Sequence, residues 1–425
     1  MFTELQPTFL EFIGTLFLGL AVLHTFLAKK ISSLAHGYPE GSVGENFFHF
    51  LGEVEVIFGL WAGLFVALIM VKEGLNPAIN YLEHINYTEP VFVFVIMTMA
   101  ATAPIISLAQ KIIHLIARLI PLSSRHSFYI ATMLIGPLLG SLVTEPAAMT
   151  LTAMILLDVF FKQGVSLRFK YMTLGLLFVN VSIGGTLSHF AAPPVVMVAG
   201  KWGWTFLHML RFFGYKSVMA MIFSTLIISF FLRKELQGPL VVKKDLQKKM
   251  PWWLIAIHLG ALGMVILTSH HMVFFLGFFL FFLGFLEVTK EYQGPVKLNE
   301  ALLVAFFLAG LVTLGNLQGW WLKPLLAGMD NLVLFLGSTG LTAITDNAAL
   351  TYLGSLVELS DSAKYFLVAG AVTGGGLTVI ANAPNPAGYG ILKEEFGEDG
   401  ISSLELFKSA LFPTVVAGLC FYFLP

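Results

Sequence analysis

The stretch LVLFLGSTGLTAITDNAALTYLGSLV, residues 332–357, has a single charged residue, Asp346, at its centre. A carboxylate among so many Leu, Phe, Val and Ala residues costs about 3 kcal/mol at the centre of a membrane-inserted helix. A second stretch, IGPLLGSLVTEPAAMTLTAMILL at residues 135–157, likewise has Glu145 as its only charge. The segment TEPAAMT at 144–150 aligns with TDNAALT at 345–351. Each half of the chain therefore carries one acidic residue in a similar frame.

The composition excludes a soluble globular protein. Of the 425 residues, 57% are hydrophobic and 12% are charged, whereas soluble domains carry roughly 25% charged residues. The net charge of -1 argues against a nucleic-acid partner, which requires a basic face. The single cysteine, Cys420, excludes an internal disulfide and a cysteine-based metal cluster. The first apolar run ends at Lys29 and Lys30 and is expected to be a retained span, not a cleaved signal peptide.

Apolar runs of about 20 residues predict an all-α polytopic membrane protein. Spanning helices are expected near 8–28, 48–71, 90–116, 215–232, 252–269, 272–289, 299–317 and 404–424. Helical hairpins are expected at 126–161 and 330–359, and broken helices at 171–199 and 365–390. The predicted organisation is N-terminal scaffold helices (1–89), a first repeat (90–240), a cytoplasmic linker with connecting helices (241–298) and a second repeat (299–425).

The placement of Lys and Arg predicts the orientation of the chain. The most basic loop, residues 233–249, should be cytoplasmic. Propagating that assignment puts 18 of the 24 basic residues inside and both termini outside, in a plasma membrane of the bacterial inner-membrane type. The first hairpin then enters from the cytoplasm and the second from the exterior. Inverted repeats with interrupted helices are typical of secondary transporters, with the site near the bilayer midplane.

Each hairpin is followed by a span that cannot remain a continuous helix. The first span runs NVSIGGTLSHFAAPP over residues 180–194, and the second runs GGGLTVIANAPNP over residues 374–386. Proline removes a backbone donor and glycine loosens the chain, so both segments should break. Backbone groups freed at membrane depth are tolerated only inside protein or beside a wet cavity. The breaks are therefore expected to face the hairpin tips.

Hard oxygen ligands converge on this region in the predicted arrangement. Carboxylates, hydroxyls, amide oxygens and freed carbonyls suit an alkali cation or a proton-exchanging site. Burial among apolar groups favours the protonated form of a carboxyl, which can then hold a proton or a metal ion in competition. The predicted ion-binding residues are Thr144, Glu145, Asn180, Thr345, Asp346, Asn347, Asn382 and Asn385, with Na+ at Glu145, Asp346 and Asn382.

Simpler interpretations of the same residues are open at this stage. Thr, Asp and Asn are preferred helix N-caps, and an acidic residue at a helix start is stabilised by the helix dipole. Capping explains one isolated tip well, but two tips in matched frames, each followed by a matched break, favour a functional site. His189, which aligns with Ile380, is either a packed histidine or a proton relay.

The TDNAA tip followed by a Gly-rich segment and an Asn-Ala-Pro-Asn turn resembles the ion transporter superfamily, which includes arsenite permeases, dicarboxylate/sodium symporters and sodium/proton antiporters. The chain is most similar to the Na+/H+ antiporter branch. This resemblance implies a homodimer whose scaffold helices hold a mobile transport domain that moves like an elevator. The residues that this resemblance implies for the binding site are Asp346, Asn347 and Asn382 in the second repeat and Glu145 in the first. The sequence lacks an acidic residue in the turn at 190–194, where related chains often have one.

Charge favours a cation over an anion as the substrate. Two carboxylates about 6 Å from an anionic group, at an effective dielectric constant of 20, repel it by about 3 kcal/mol each. The prediction is exchange of Na+ (or Li+) for H+, with membrane lipid as the surroundings and no cofactor beyond the transported ions. Proton-coupled arsenite or antimonite transport and sodium-coupled organic anion transport are the alternatives. An intramembrane enzyme is disfavoured because the sequence has no HExxH motif and no Ser/His pairing suited to hydrolysis. A channel would be distinguished from a carrier by single-channel currents.

Overall fold

The computed structural model of the protein describes residues 7–240, 250–326, 328–397 and 400–425. This described part contains α-helices, short 3-10 turns and no β-strand, in agreement with the all-α prediction. Residues 241–249 of the predicted basic loop lie outside it. The first eleven helices are α1 (Phe9–Leu34), α2 (Val43–Leu51), α3 (Val54–Glu73), α4 (Leu75–Glu83), α5 (Thr88–Ala100), α6 (Ala103–Leu119), α7 (Ser124–Val143), α8 (Glu145–Val159), α9 (Leu167–Gly184), α10 (Pro193–Trp202) and α11 (Phe206–Met209).

The remaining ten helices complete the chain. They are α12 (Tyr215–Phe231), α13 (Trp252–Leu267), α14 (Met272–Val288), α15 (Leu298–Gly315), α16 (Gly319–Leu326), α17 (Asn331–Thr342), α18 (Asn347–Ser355), α19 (Asp361–Gly374), α20 (Asn385–Leu392) and α21 (Ser403–Phe423). A π turn at Leu210–Gly214 joins α11 to α12, so that these elements form one helix over Phe206–Phe231.

Six helices of the described chain are long and apolar enough to cross a membrane. They are Phe9–Ala28 within α1, Val54–Glu73, Ser124–Val143, Phe206–Phe231, Leu298–Gly315 and Ser403–Phe423. The bent pair α5 and α6 counts as a seventh if its two helices form one span. Three shorter apolar helices, α13, α14 and α17, add to the apolar content. This pattern is that of a polytopic membrane protein.

Two predicted spans are interrupted in the structure. The single span predicted over 90–116 is instead two helices that meet at 67° between Ala100 and Ala103. Pro104 is the physical reason, because it lacks the N–H that would continue α5 and suits the first turn of a new helix. The span predicted over 48–71 begins only at Val54, and Glu53 is the residue that precedes its first turn.

The chain divides into two compact units. The first unit comprises Met1–Phe94, Leu298–Asp330 and Tyr352–Ser360. In it α15 packs against α3 and α1, and the contact with α3 is close because Gly310 of α15 lies directly on the backbone of Phe58 and Gly59. Gln318 joins α1 to the end of α15, since its Oε1 accepts a hydrogen bond from Thr15 (2.9 Å) and its Nε2 donates to the Leu314 carbonyl (2.8 Å).

Tyrosines hold the carboxyl end of α15 within the first unit. The Tyr81 hydroxyl donates to the Thr313 carbonyl (2.5 Å), and the Tyr352 hydroxyl donates to the Val312 carbonyl (3.3 Å). Tyr87 lies 2.9 Å from the Thr313 hydroxyl. The last carbonyls of a helix have no partner within the helix, and Tyr81 supplies one for Thr313. The Val312 carbonyl also accepts from the Asn316 N–H (3.1 Å).

The second unit comprises Val95–Lys297, Asn331–Thr351 and Asp361–Pro425. Helices α7, α8 and α9 form its centre, and α12 and α21 pack around them. Helix α17 packs closely on α19 because Gly370 and Gly374 of α19 lie against the backbone of Phe335 and Thr339. Both segments predicted to be broken helices, α9–α10 and α19–α20, belong to this unit.

Gly310→Ala is expected to destabilise the protein, because the added methyl group would overlap the backbone of α3 at Phe58, and overpacking typically costs about 1–3 kcal/mol. Gly63→Ala on α3 is the matched control, since no atom lies within 4 Å of its added methyl group. Thermal unfolding of the detergent-purified protein should show a lower midpoint for Gly310→Ala and an equal or higher midpoint for Gly63→Ala. Equal midpoints for Gly310→Ala and wild type would contradict the close packing.

Candidate functional site

Glu145 stands at the centre of a buried polar cluster in the second unit. It is the first residue of α8 and has no solvent exposure. Its Oε2 accepts a hydrogen bond from Asn382 Nδ2 at 2.9 Å, whereas its Oε1 is buried with no hydrogen-bond partner among the described residues. Asn382 lies in the break between α19 and α20. The structure thus brings the first predicted tip and the second predicted break into direct contact.

The helix pair α7–α8 reverses direction at a strained residue. Thr144, between the two helices, has φ 117° and ψ 151°, and it is the one non-glycine residue with positive φ in the described chain. This backbone region is essentially reserved for glycine and costs a β-branched residue about 1–3 kcal/mol. The Thr144 side chain is buried, and its hydroxyl has no partner in the described part. The tight reversal places Glu145 directly at the tip.

Two glycines make room at the breaks. A side chain at Gly185 would overlap Glu145 Oε1, and a side chain at Gly375 would overlap the Ser182 hydroxyl. The same position at Gly375 is 2.8 Å from Asn347 Nδ2. Only glycine at these two positions therefore lets the broken helices approach the polar side chains of the tips.

Asp346 behaves first as a helix cap. Its Oδ1 accepts hydrogen bonds from the backbone N–H of Ala348 (2.7 Å) and Ala349 (3.1 Å), at the start of α18. This is the arrangement that an N-cap carboxylate adopts. The capping interpretation of Asp346 is therefore a feature of the structure.

Asn347 and Asn385 lie on either side of Gly375. Asn347 is fully buried, and neither its oxygen nor its nitrogen has a hydrogen-bond partner among the described residues. Asn385 Nδ2 donates to the carbonyls of Gly375 and Thr378, each at 2.8 Å, which leaves its buried Oδ1 without a partner. Asn382 Oδ1 is likewise buried and unpartnered. The amide oxygens of Asn347, beside the second acidic residue, and of Asn382 and Asn385, in the second break, are thus available to a ligand.

Three other predicted site residues have different surroundings. The Thr345 hydroxyl donates to the Leu341 carbonyl of its own chain segment at 2.8 Å. Asn180 donates to the Met133 carbonyl and the Thr225 hydroxyl, away from the Glu145–Asn382 pair. His189 is half-buried against Phe190, and no hydrogen bond joins it to Glu145 or Asn382 in the described chain.

The sequence analysis did not identify the serines that satisfy the broken helices. The Ser141 hydroxyl donates to the Gly184 carbonyl (2.5 Å), and the Ser182 hydroxyl donates to the Val372 carbonyl (2.7 Å). No spacing rule pointed to either serine, because each bonds a segment that is distant in the sequence. The carbonyls of Gly184 and Val372 already accept these two hydrogen bonds.

The donor set suits a hard monovalent cation and differs from a transition-metal centre. Among the described residues, no group of three or more His, Cys, Asp or Glu side chains could hold a metal ion. The available groups are one carboxyl oxygen and several neutral amide oxygens, which are hard ligands. Such a set compensates a single positive charge without accumulating negative charge in an apolar environment.

The fold is that of a polytopic membrane protein, and the cluster is buried and rich in oxygen atoms. The chain belongs to a family described as "Putative Na+/H+ antiporter", whose model matches residues 9–424. The match covers nearly the whole chain and points to a membrane-embedded transporter with small cation substrates. No curated protein matches the chain.

Asp346→Asn should leave stability close to that of wild type, because an Asn side-chain oxygen caps a helix as well as Asp does. Asp346→Ala should lose about 1 kcal/mol, since the N–H groups of Ala348 and Ala349 lose their acceptor. Thermal unfolding of both purified variants checks this order. Equal destabilisation by Asn and Ala would show that the negative charge, and not the cap, stabilises α18.

Thr144→Gly should stabilise the protein by about 1 kcal/mol, because relief of the strain exceeds the entropy cost of glycine. Thr345→Gly is the matched control at the aligned position, where φ is not positive, and it should destabilise. The two unfolding midpoints are to be compared in one detergent. Destabilisation by both substitutions would contradict the strained conformation of Thr144.

Proposed function

We propose that the chain exchanges Na+ (or Li+) for H+ across the membrane, with Glu145 as the group that holds the proton or the cation. One observation carries this proposal. Glu145 Oε1, Asn382 Oδ1 and Asn347 Oδ1 are buried oxygens with no hydrogen-bond partner among the described residues. Unsatisfied buried acceptors are rare in folded proteins and call for a ligand. Membership of an antiporter family supports the same conclusion.

Competition between the two cations follows from the electrostatics of the site. A carboxyl with no solvent exposure is stable when it is protonated or when a cation neutralises it. Loading Na+ next to Glu145 Oε1 therefore releases the proton, and protonation displaces Na+. The Asn382 amide orients the carboxyl in both states through its hydrogen bond to Oε2. Asp346 adds a negative potential that favours a cation over an anion.

The Na+ ligands in this proposal are Glu145 and Asn382, with Asn347 and Asn385 as neighbouring amides and Thr144 as a hydroxyl at the tip. Asp346 contributes mainly its charge, because its Oδ1 is occupied by the N-cap hydrogen bonds. Thr345 and His189 have no hydrogen bond to this group in the described chain and receive no role as ligands.

Alternating access is proposed to use the two acidic helix pairs as re-entrant hairpins in inverted repeats. Helices α17 and α18 have 12 and 9 residues, and at 1.5 Å per residue they are about 18 and 14 Å long. A spanning helix needs about 30 Å, so this pair supports a hairpin that enters and leaves on one side. In the first pair, α7 is long enough to span, whereas α8 has 15 residues and is about 22 Å long. The aligned TEPAAMT and TDNAALT segments, at the starts of α8 and α18, support treating the two pairs as repeats.

The resemblance to the ion transporter superfamily extends this proposal to an elevator-like movement in a homodimer surrounded by lipid. The distribution of basic residues supports a plasma-membrane protein with both termini outside.

Glu145→Gln should abolish Na+-dependent proton release from everted vesicles, because Gln keeps an oxygen for Asn382 but cannot release a proton. Asp346→Asn should abolish it as well, through loss of the negative potential. In wild type, the apparent KM for Na+ should fall by up to about tenfold per pH unit while the carboxyl is mostly protonated.

Glu405→Gln, at an exposed Glu on α21 paired with Lys408, is the matched control and should exchange like wild type. Undiminished exchange in Glu145→Gln would refute the assignment of Glu145. Addition of Li+, K+ and arsenite to wild-type proteoliposomes identifies the transported species, and arsenite-coupled proton flux without Na+ dependence would replace the cation proposal.

A further inference from the structure

Pro137 lies inside α7, two turns before Glu145. A proline has no backbone N–H, so the carbonyl of Met133, four residues earlier, loses its partner within the helix. In a membrane protein no water is available in the apolar region to replace such a partner. A helix with an internal proline at this depth therefore needs a donor from elsewhere in the protein.

Asn180 supplies that donor. Its Nδ2 donates to the Met133 carbonyl at 2.9 Å and to the Thr225 hydroxyl at 3.1 Å. Asn180 has no solvent exposure, so both amide hydrogens are used inside the protein. The first of these bonds replaces the one that Pro137 removed, and the second holds the amide in place from α12.

Beyond Pro137, the end of α7 is attached to the break after α9. Gly184 packs directly on Pro137, whose carbonyl oxygen is 2.8 Å from the position that a Gly184 side chain would occupy. The Ser141 hydroxyl donates to the Gly184 carbonyl (2.5 Å) and accepts from the Leu187 N–H (2.9 Å). One hydroxyl thus satisfies both a carbonyl and an amide that the break sets free.

These contacts fix the last two turns of α7 and hence the residues that follow them. Thr144 and Glu145 come directly after this attached segment, and Gly185, next to Gly184, lies against Glu145 Oε1. A change in the kink at Pro137 would move the Glu145 carboxyl relative to Asn382. The hydrogen bond of Asn180 to Met133 therefore acts on the site through the backbone of α7.

We infer that Asn180 is a positioning residue for Glu145, which satisfies the carbonyl left by Pro137, and is not a ligand of the transported ion. The inference rests on the proposed function in taking Glu145 as the exchanging group. It differs from the prediction made from the sequence, which grouped Asn180 with the ion ligands. A ligand role would use its Oδ1, which is buried without a partner in the described chain.

A suppressor experiment separates the two roles. Asn180→Ala leaves the Met133 carbonyl unsatisfied and should raise the KM for Na+ by about tenfold. Pro137→Ala restores a backbone N–H that can pair with this carbonyl, and it keeps the Cβ that lies beside Gly184. The double variant should therefore return to the KM of Pro137→Ala alone, a non-additive result that a shared interaction predicts. A KM that remains raised in the double variant would overturn the inference and assign Asn180 as a ligand.

A readout that does not involve Na+ keeps the inference testable even if the proposed function fails. Hydrogen exchange of the backbone amides at 141–148 in the purified full chain should be faster in Asn180→Ala and return towards wild type in the double variant. Unchanged exchange in Asn180→Ala would overturn the inference. Thr414→Val, which removes a buried hydroxyl on α21 with no partner among the described residues, is the control and should leave both readouts unchanged. Absence of Na+-dependent transport in wild type would contradict only the proposed function.

Discussion

In the second unit, backbone N–H and C=O groups lose their helical hydrogen-bond partners where a helix is interrupted, and they need partners from elsewhere in the protein. A carbonyl or amide at membrane depth without a partner is more costly than in a water-exposed loop. The chain meets this constraint with short polar side chains from neighbouring helices, each placed within hydrogen-bond distance of a freed group. Ser141 serves the break after α9, Ser182 serves the end of α19, and Asn385 serves the segment between α19 and α20. These side chains thus satisfy four backbone carbonyls at and near the breaks.

These hydrogen bonds bear on which atoms would bind an ion in the proposed mechanism. The carbonyls of Gly184, Val372, Gly375 and Thr378 accept from serine and asparagine donors. Buried side-chain oxygens with no partner among the described residues include those of Glu145, Asn347, Asn382 and Asn385 in the proposed site. Side-chain oxygens can rotate or exchange a proton, which peptide carbonyls cannot do. A site of this kind can change its occupant without unfolding the helices that carry it.

The sequence was most informative at positions where the residue is energetically unfavourable in its apolar surroundings. Glu145 and Asp346 stood out because each is the single charge in a long apolar stretch, and the structure places each at the start of a helix. The Gly and Pro runs correctly located both breaks, since these residues act on the chain locally. The bend before Pro104 was missed although the same rule applies to it, because the apolar run continues through it.

The sequence alone did not show which side chains of the polar cluster form hydrogen bonds with each other. Nothing in the pattern distinguishes Asn382, which bonds Glu145, from Asn180, which bonds a backbone carbonyl 47 residues away along the chain. Asp346 combines two roles that the sequence presented as alternatives, since a capping carboxylate still carries its charge. The conformation of Thr144 was also hidden, because a Thr-Glu pair does not by itself indicate a positive φ.

Gly185 and Gly375 have a consequence for how this protein can evolve. Each provides space by having no side chain, so no conservative replacement exists at either position, and even alanine would intrude on the polar cluster. Apolar positions on the outer surface can exchange Leu, Ile, Val and Phe with little effect. At these two positions, one in each half of the sequence, the polar cluster therefore accepts only glycine.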